Sequence, residues 1–117
     1  MTYKQRIKEL KCVVIIPTYN NAGTIAQVIA DVKQFAEDIV VVNDGSTDNT
    51  AQILSVTDGI KVIDYQKNMG KGYALKLGLG RAYEWGYRYA IAIDSDAQHY
   101  ADDIPGFIDR IEQVPDG

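Results

Sequence analysis

The chain has 117 residues, which is the size of one domain or part of one and allows roughly two thirds of the unfolded surface to be buried. Its net charge of −4 and the lack of a basic stripe argue against a nucleic-acid-binding protein. The longest apolar runs are far shorter than the ~20 residues that span a bilayer, and the first ten residues lack the apolar stretch of a signal peptide.

Four short runs rich in β-branched residues are predicted to be strands. They cover residues 12–17, 38–44, 60–65 and 87–94. The first, second and fourth runs are continuously apolar, which is typical of strands covered on both faces in a parallel sheet. The single cysteine, Cys12, begins the first run. We interpret it as a small core residue in a reducing compartment, and the expected location is the cytoplasm.

Amphipathic segments follow the first two predicted strands and are predicted to be helices. The first carries an apolar stripe at three- and four-residue spacing over residues 25–35, and Asn20 or Asn21 could cap it. The second is shorter and could be capped by Ser46 or Thr47. Each helix would return the chain to the start of the next parallel strand.

Two more helices are predicted after the third and fourth strands. One covers residues 70–86, where Ala74, Gly78 and Ala82 lie four apart and would let the helix approach the sheet closely. The last begins near residues 102–103 and carries apolar residues to position 111. The alternation of strand and helix predicts an α/β fold, with three α/β/α layers and a mostly parallel sheet.

A polar cluster follows each predicted strand. The clusters are PTYNN at 17–21, NDGSTDNT at 43–50, QKNMGKG at 66–72 and DSDAQH at 94–99. In an open parallel sheet, ligands bind outside the carboxyl ends of the strands, so these clusters are expected to meet. Taken singly, the first three have the ordinary composition of turns and helix caps.

Two known phosphate-binding motifs do not fit the sequence. A Walker loop needs glycine five residues before Gly70 and serine or threonine after Lys71, but those positions hold Tyr65 and Gly72. The dinucleotide motif Gly-x-Gly-x-x-Gly fails as well, because Leu75 occupies the place of its third glycine. Any phosphate site must therefore be of another kind.

The fourth cluster places two carboxylates where a buried strand ends. Asp94 and Asp96 straddle Ser95, so strand geometry would point both carboxylates to the same side. Mg²⁺ or Mn²⁺ suits such a place, since these ions prefer oxygen ligands and are held by one or two carboxylates plus substrate phosphates. Gln98 offers a further oxygen and His99 a nitrogen. An isolated pair could equally be two solvated acids, and the neighbouring clusters favour the metal.

The four motifs together resemble a known family. VVIIPTYNNAGTI, IVVVNDGSTDNT, NMGKGYALKLGL and AIAIDSDAQH follow one another in the order and at the spacing of the inverting GT-A glycosyltransferases of family 2. The DSDAQH version, followed by ADDIP, most resembles the dolichol-phosphate mannose synthase and polyprenyl-phosphate glycosyltransferase branch. The resemblance implies that residues 1–117 form a single nucleotide-sugar-binding domain, the Rossmann-like half of a GT-A fold.

The same resemblance implies roles for residues that follow the first and second strands. Pro17, Thr18 and Tyr19 would line the nucleotide base, and Asp44 would hydrogen-bond the base or the ribose. Asn20 belongs to the same substrate-binding loop, although it fits equally well as a helix cap.

Further roles are implied for the third and fourth clusters. Lys71 would lie near the diphosphate, Asp94 would contact the ribose or sugar, and Asp96 would also contact the substrate. Asp96 and Gln98 would hold the metal, which is expected to be Mg²⁺ or Mn²⁺.

The implied reaction is transfer of a sugar from a UDP- or GDP-sugar, with inversion, as in the synthesis of cell-envelope polysaccharides. The acceptor would be a hydroxyl, such as that of a saccharide, or a lipid phosphate. The catalytic base is expected in a second half beyond Gly117, and Asp102 and Asp103 are interpreted as helix-cap acids. The full-length enzyme could work at the cytoplasmic face of the membrane. An exposed apolar face could also drive association into a homo-oligomer.

Two alternatives remain from the sequence. A nucleotide-sugar-binding module without catalysis would use the same residues. A nucleotidyltransferase would also use a carboxylate-bound metal, but it would begin with a glycine-rich basic signature, where this chain has PTYNN.

Overall fold

The computed structural model of the chain describes residues 1–96 and 100–113. Helices and strands alternate along it as the sequence predicts. In chain order they are α1 (Tyr3–Glu9), β1 (Cys12–Thr18), α2 (Ile25–Lys33), β2 (Ile39–Asp44), α3 (Thr50–Ser55), β3 (Lys61–Tyr65), α4 (Lys71–Glu84), β4 (Tyr89–Ala92), a 3₁₀ turn (Tyr100–Asp103) and α5 (Ile104–Gln113).

The four strands form one parallel sheet in the order β3-β2-β1-β4. In the register of this sheet, Val14 of β1 pairs with Ile39 of β2 on one side and with Ile91 of β4 on the other. The chain moves from β1 to one edge at β3 and then returns past β1 to place β4. The strand order therefore reverses beside β1, and a crevice at the carboxyl ends of these strands is the usual ligand site.

Both faces of the central strands are buried. All residues of β1 and β2 are buried, as the continuous apolar runs predict. Side chains alternate between the faces: Val14 and Ile16 pack with α1, α2, α3 and α5, whereas Val13 and Ile15 pack with α4. This alternation gives the predicted three-layer α/β/α arrangement.

Helix α4 lies close to the sheet because its inner face carries small residues. Ala74, Gly78 and Ala82 are buried there. A Cβ atom on Gly78 would lie 2.9 Å from a methyl group of Ile15 and 3.1 Å from one of Val42. The predicted packing reason for glycine inside this helix is confirmed. Because α4 follows β3 in the chain, the start of α4 lies at the carboxyl end of the sheet.

The predictions for the fourth strand were wrong in three respects. β4 begins at Tyr89 rather than at Tyr87, it ends at Ala92 rather than at Asp94, and Ala90 and Ala92 are exposed. An apolar sequence is buried only where something packs against it, and β4 forms an edge of the described sheet. The inner residue Ile91 is buried as expected.

Helix starts were also misplaced. The cap residue of α2 is Thr24 and that of α3 is Asn49, so neither predicted pair of caps lies at the start of its helix. The amides and hydroxyls assigned as caps bind neighbouring loops instead, as described below. No helix in the part of the chain that the structure describes is long and apolar enough to cross a membrane.

Helix α1 was not predicted, although its signal is present in the sequence. Thr2 and Gln5 form a capping box, in which the Thr2 hydroxyl accepts from the Gln5 backbone N–H and the Gln5 side chain accepts from the Thr2 backbone N–H. Arg6 of this helix forms ion pairs with Asp109 and Glu112 of α5. The helix therefore fastens the first residues of the chain to the last described helix.

Candidate functional site

A cavity of about 410 Å³ opens at the carboxyl ends of β1, β2 and β4. Its size lies in the range of small-molecule sites. All of the predicted substrate-binding residues line it except Asn20. The lining consists of Pro17, Thr18, Tyr19, Asn21, Asp44, Asn68, Gly70, Lys71, Ala74, Asp94, Ser95 and Asp96.

The segment after β4 places two carboxylates at this cavity. Asp94 is partly exposed, Ser95 is only 3% exposed and Asp96 is exposed. The Ser95 hydroxyl is turned into the protein, where it donates to the Pro17 carbonyl at 3.1 Å. This alternation agrees with the expectation that the carboxylates of Asp94 and Asp96 share one side.

Lys71 compensates part of the negative charge of Asp94 and Asp96. Nζ of Lys71, the first residue of α4, forms an ion pair with the carboxylate of Asp94. The two side chains are 59% and 36% exposed, so the pair adds little to the stability of the fold and can open at small cost. The positive end of the α4 dipole lies at the same place, which favours negative charge in the cavity.

The carboxylate of Asp44, at the end of β2, is buried and accepts four hydrogen bonds. Oδ1 accepts from the Tyr65 hydroxyl at 2.7 Å and from the Met69 N–H at 2.8 Å. Oδ2 accepts from Asn68 Nδ2 at 2.9 Å and from the Gly70 N–H at 3.0 Å. Asp44 therefore fastens the loop that leads into α4, and this loop delivers Lys71 to the cavity.

Two further features support this loop. Gly45 has a φ of +67°, and a Cβ atom there would lie 2.3 Å from the backbone nitrogen of Asn68. Burial, and then the hydrogen bond to Asp44, raise the pKa of Tyr65 above its usual range, so its hydroxyl stays protonated and donates. The sequence did not indicate that Tyr65 and Asn68 serve Asp44, because these residues lie 21 and 24 positions away.

Asn20 joins two loops and does not line the cavity. Its backbone has a φ of +52°, and its Oδ1 accepts from the N–H groups of Thr47 at 2.7 Å and Asp48 at 3.3 Å. Its own N–H donates to the Ser46 hydroxyl at 3.0 Å. In return, Asp48 accepts from the Ala22 N–H at 3.1 Å. These bonds explain why Asn20, Ser46 and Thr47 do not cap helices.

A second connection joins the β1–α2 loop to the segment after β4. Asn21 Nδ2 donates to the Ser95 hydroxyl at 2.6 Å, and the Thr24 hydroxyl donates to the Ser95 carbonyl at 2.6 Å. Sequence reasoning treated Asn21 only as a possible cap and assigned no role to Ser95 or Thr24. The one signal in the sequence was that Ser95, a small polar residue, lies between two aspartates and could be buried and hydrogen-bonded.

Comparison with known proteins places these motifs in a family. The family model described as "Glycosyl transferase family 2" matches residues 13–117. The chain belongs to this family. The predicted recognition is thereby confirmed, since the match covers all four motifs.

Two of the similar proteins have names that specify dolichyl phosphate. The chain is 33% identical over 114 residues to UDP-N-acetylglucosamine–dolichyl-phosphate N-acetylglucosaminyltransferase of Methanococcus voltae, covering 83% of this chain and 45% of that protein. It is 29% identical over 123 residues to dolichyl-phosphate beta-glucosyltransferase of Saccharomyces cerevisiae, covering 92% and 36%. The chain thus spans less than half the length of these relatives.

A solved structure confirms the GT-A fold. Glucosyl-3-phosphoglycerate synthase from Mycobacterium tuberculosis, in complex with Mn²⁺, uridine diphosphate and glucosyl-3-phosphoglycerate, superposes with a TM-score of 0.67. The two chains are 22% identical, and the match covers 93% of this chain and 42% of the other. At this identity, the likeness establishes the fold.

The donor atoms at the cavity of this family 2 chain fit a divalent ion that is held jointly with phosphate. Within residues 1–96 and 100–113, no group of three or more His, Cys, Asp or Glu side chains could hold a metal ion. Asp94 and Asp96 both line the cavity, and phosphate oxygens would complete the set of ligands around an ion held by Asp96. The predicted ligand Gln98 and its neighbour His99 lie outside the described residues.

Proposed function

We propose that residues 1–117 are the donor-binding part of a family 2 glycosyltransferase that uses a UDP- or GDP-sugar with Mg²⁺ or Mn²⁺. The sugar would pass, with inversion, to an acceptor hydroxyl or a lipid phosphate. One observation carries the proposal: Asp94, Asp96 and Lys71 meet at the start of α4 in a single cavity. A carboxylate pair beside a cation and a helix N-terminus suits a metal-bound diphosphate.

The other walls of the cavity suit the nucleoside. Pro17 and Thr18 end β1, and the ring of Tyr19 is 45% exposed next to them. An exposed aromatic ring at the edge of a cavity provides a flat surface for a nucleobase. We propose that this wall holds the base, so that the diphosphate extends toward Lys71 and the two aspartates.

Lys71, Asp94 and Asp96 would take different roles when the diphosphate is bound. Lys71 would leave Asp94 and bind phosphate oxygen, since the exposed ion pair opens at small cost. Asp94 would then be available to the ribose or the sugar, and Asp96 to the divalent ion. When bound, that ion would stabilise the charge that grows on the leaving diphosphate.

Two of the relatives support a lipid phosphate as the acceptor. Both named enzymes transfer a sugar to dolichyl phosphate, and the solved synthase contains Mn²⁺, uridine diphosphate and a phosphorylated product. A lipid phosphate is accordingly our first choice of acceptor. Attack from the side opposite the diphosphate would invert the anomeric carbon. An acceptor hydroxyl would need a carboxylate base to take its proton, whereas a phosphate oxygen is already anionic.

Isothermal titration calorimetry with UDP and GDP, each with and without Mn²⁺, tests the donor proposal. We expect the folded chain to bind one of the two nucleotides more tightly when Mn²⁺ is present. Asp96→Asn should abolish the effect of Mn²⁺, because an amide is a poorer ligand for a hard cation. Asp102→Asn is a matched control, since Asp102 is an exposed acid of the 3₁₀ turn.

Two results would count against the proposal. One is that the chain is folded by circular dichroism but binds neither nucleotide. The other is that Asp96→Asn and Asp102→Asn bind the nucleotide and Mn²⁺ equally well.

A further inference from the structure

The segment that carries the two aspartates lies beyond the hydrogen bonds of the sheet. β4 ends at Ala92, and the Ile93 N–H donates to the Ile15 carbonyl at 2.9 Å. Asp94 and Asp96 follow immediately, outside the strand. Like charges so close together repel each other, and an unanchored segment would relieve that repulsion by moving the carboxylates apart.

Ser95 supplies the anchor. It is 3% exposed, and both its side chain and its main chain are held. Its hydroxyl donates to the Pro17 carbonyl at 3.1 Å and accepts from Asn21 Nδ2 at 2.6 Å. Its carbonyl accepts from the Thr24 hydroxyl at 2.6 Å. All three partners belong to the end of β1 or to the loop before α2, and we call these four residues the Ser95 clamp.

The placement of Thr24 indicates what the clamp is for. Thr24 occupies the cap position of α2, where a threonine hydroxyl ordinarily accepts from a backbone N–H of the first turn. Its side chain makes no such capping bond. The hydroxyl donates to the Ser95 carbonyl instead, so a residue well suited to stabilise α2 is used to hold the segment after β4.

We propose that the Ser95 clamp is a positioning device for the metal site: by holding Ser95 inward, it keeps the carboxylates of Asp94 and Asp96 together on the cavity side. This inference rests on the proposed function, in which Asp96 binds a divalent ion held with the nucleotide and Asp94 contacts the ribose or the sugar. Groups that orient metal ligands without touching the metal typically contribute about 10- to 100-fold to metal affinity. The role of Asn21 and Thr24 is thus positioning, not catalysis.

The test measures Mn²⁺ affinity at saturating UDP or GDP, whichever the chain binds, by calorimetry and by the electron paramagnetic resonance signal of free Mn²⁺. Thr24→Val keeps the shape of the side chain and removes the hydroxyl, so Mn²⁺ should bind about 10-fold more weakly. Ser95→Ala should have a similar effect. Thr24→Ser, which keeps a hydroxyl, should restore most of the affinity. Binding of the nucleotide without Mn²⁺ should fall less than binding of Mn²⁺.

A matched control variant distinguishes an effect on the position of the two aspartates from a general loss of stability of the fold. The Thr57 hydroxyl donates to the Ile53 carbonyl at 2.7 Å, which is the same kind of bond outside the cavity. Thr57→Val should lower the melting temperature without changing Mn²⁺ affinity. If Ser95→Ala fails to fold, the comparison of Thr24→Val, Thr24→Ser and Thr57→Val is sufficient.

The outcomes are distinguishable. If the wild-type chain binds Mn²⁺ with nucleotide and Asp96→Asn does not, but Thr24→Val binds Mn²⁺ like Thr57→Val, the clamp proposal is overturned and the proposed function stands. If the folded wild-type chain binds no Mn²⁺ with either nucleotide, both proposals are overturned. Weaker Mn²⁺ binding in Thr24→Val alone, restored in Thr24→Ser, supports the clamp.

Discussion

Asp44 ends strand β2 and Asp96 lies in the segment after β4, so both line the same cavity, but their surroundings differ. Asp44 is 3% exposed, and its two oxygens accept four hydrogen bonds. Asp96 is exposed and lines the cavity, as do Asp94 and the Lys71 with which Asp94 forms an ion pair. A buried carboxylate is tolerated when donors surround it, whereas an exposed one can exchange water for a cation. Surroundings, and not residue type, therefore decide whether an aspartate is occupied by donors of the chain or is accessible to a ligand.

This difference bears on the role that the resemblance implied for Asp44. A carboxylate has about four lone-pair positions, and four donors from the chain already occupy those of Asp44. A base or ribose could bind it only by displacing one of these donors or by sharing an oxygen. Contact between Asp44 and the nucleotide stays a prediction, whereas its hold on the loop before α4 is visible in the structure.

The largest expected effect is on stability. Asp44→Ala would leave the backbone N–H groups of Met69 and Gly70 without their acceptor, so we expect a loss of at least about 3 kcal/mol in the free energy of unfolding. Asp96→Ala should cost about 0.5 kcal/mol or less, as is usual for an exposed side chain. Urea denaturation of both variants gives the comparison. Equal losses would contradict the distinction between the two aspartates.

The second largest expected effect is on the binding of UDP or GDP. Lys71→Met should leave the free energy of unfolding nearly unchanged, because the ion pair with Asp94 is exposed. Loss of a charge-assisted bond to phosphate should weaken binding of UDP or GDP by about 2 kcal/mol, roughly 30-fold in Kd. Calorimetry measures this change. Lys76→Met, an exposed lysine further along α4, is the control, and equal Kd values for the two variants would contradict the proposed role of Lys71.

A smaller change tests one of the four donors. Tyr65→Phe removes the hydroxyl that donates to Asp44 at 2.7 Å, and we expect a loss of about 1.5 kcal/mol in the free energy of unfolding. Tyr73→Phe removes the same atom from a ring that is 45% exposed and should cost less. Urea denaturation of both variants measures the difference. A loss for Tyr65→Phe no larger than for Tyr73→Phe would show that the other three donors suffice.

Much of the fold could be predicted because it depends on local patterns. The apolar runs gave β1 and β2 their correct places, and the glycine in α4 indicated its close packing. The predicted helix starts were wrong because polar residues such as Asn20 and Ser46 have several possible hydrogen-bond partners. Here these two residues bind each other across two loops that are distant in the sequence. The capping box of Thr2 and Gln5 was a readable local signal that went unused.

Most residues of the candidate site could be predicted from the sequence, but their separate roles could not. Asp44, Asp94 and Asp96 line one cavity at the carboxyl ends of the strands. The sequence predicted this, because each motif comes at the end of a predicted parallel strand. Which of them is buried depends on donors that arrive from elsewhere in the chain, such as Tyr65. The Ser95 clamp was hidden for the same reason, since its bonds join residues more than 70 positions apart.

Asp48 is intermediate between the two aspartates, because it is exposed and yet accepts hydrogen bonds. Its carboxylate accepts from the Thr50 hydroxyl at 2.5 Å, the Thr50 N–H at 3.0 Å and the Ala22 N–H at 3.1 Å. The bond from the Thr50 hydroxyl is the main reason that the pKa of Asp48 lies below its usual value of 3.8. A lowered pKa in the folded state means that the charged form stabilises the fold.

The smallest expected effect is therefore a pH dependence. The stabilisation from Asp48 should be complete well above pH 3.8 and should be lost as the pH falls through the lower pKa of the folded state. We expect Asp48→Asn to be less stable than wild type at pH 7, by less than the Tyr65→Phe loss because Asp48 is exposed. Urea denaturation from pH 7 to pH 3 should show the difference between the two proteins shrinking as the pH falls. A difference that stays constant or grows toward low pH would mean that the charge on Asp48 does not contribute to the joining of the loops after β1 and β2.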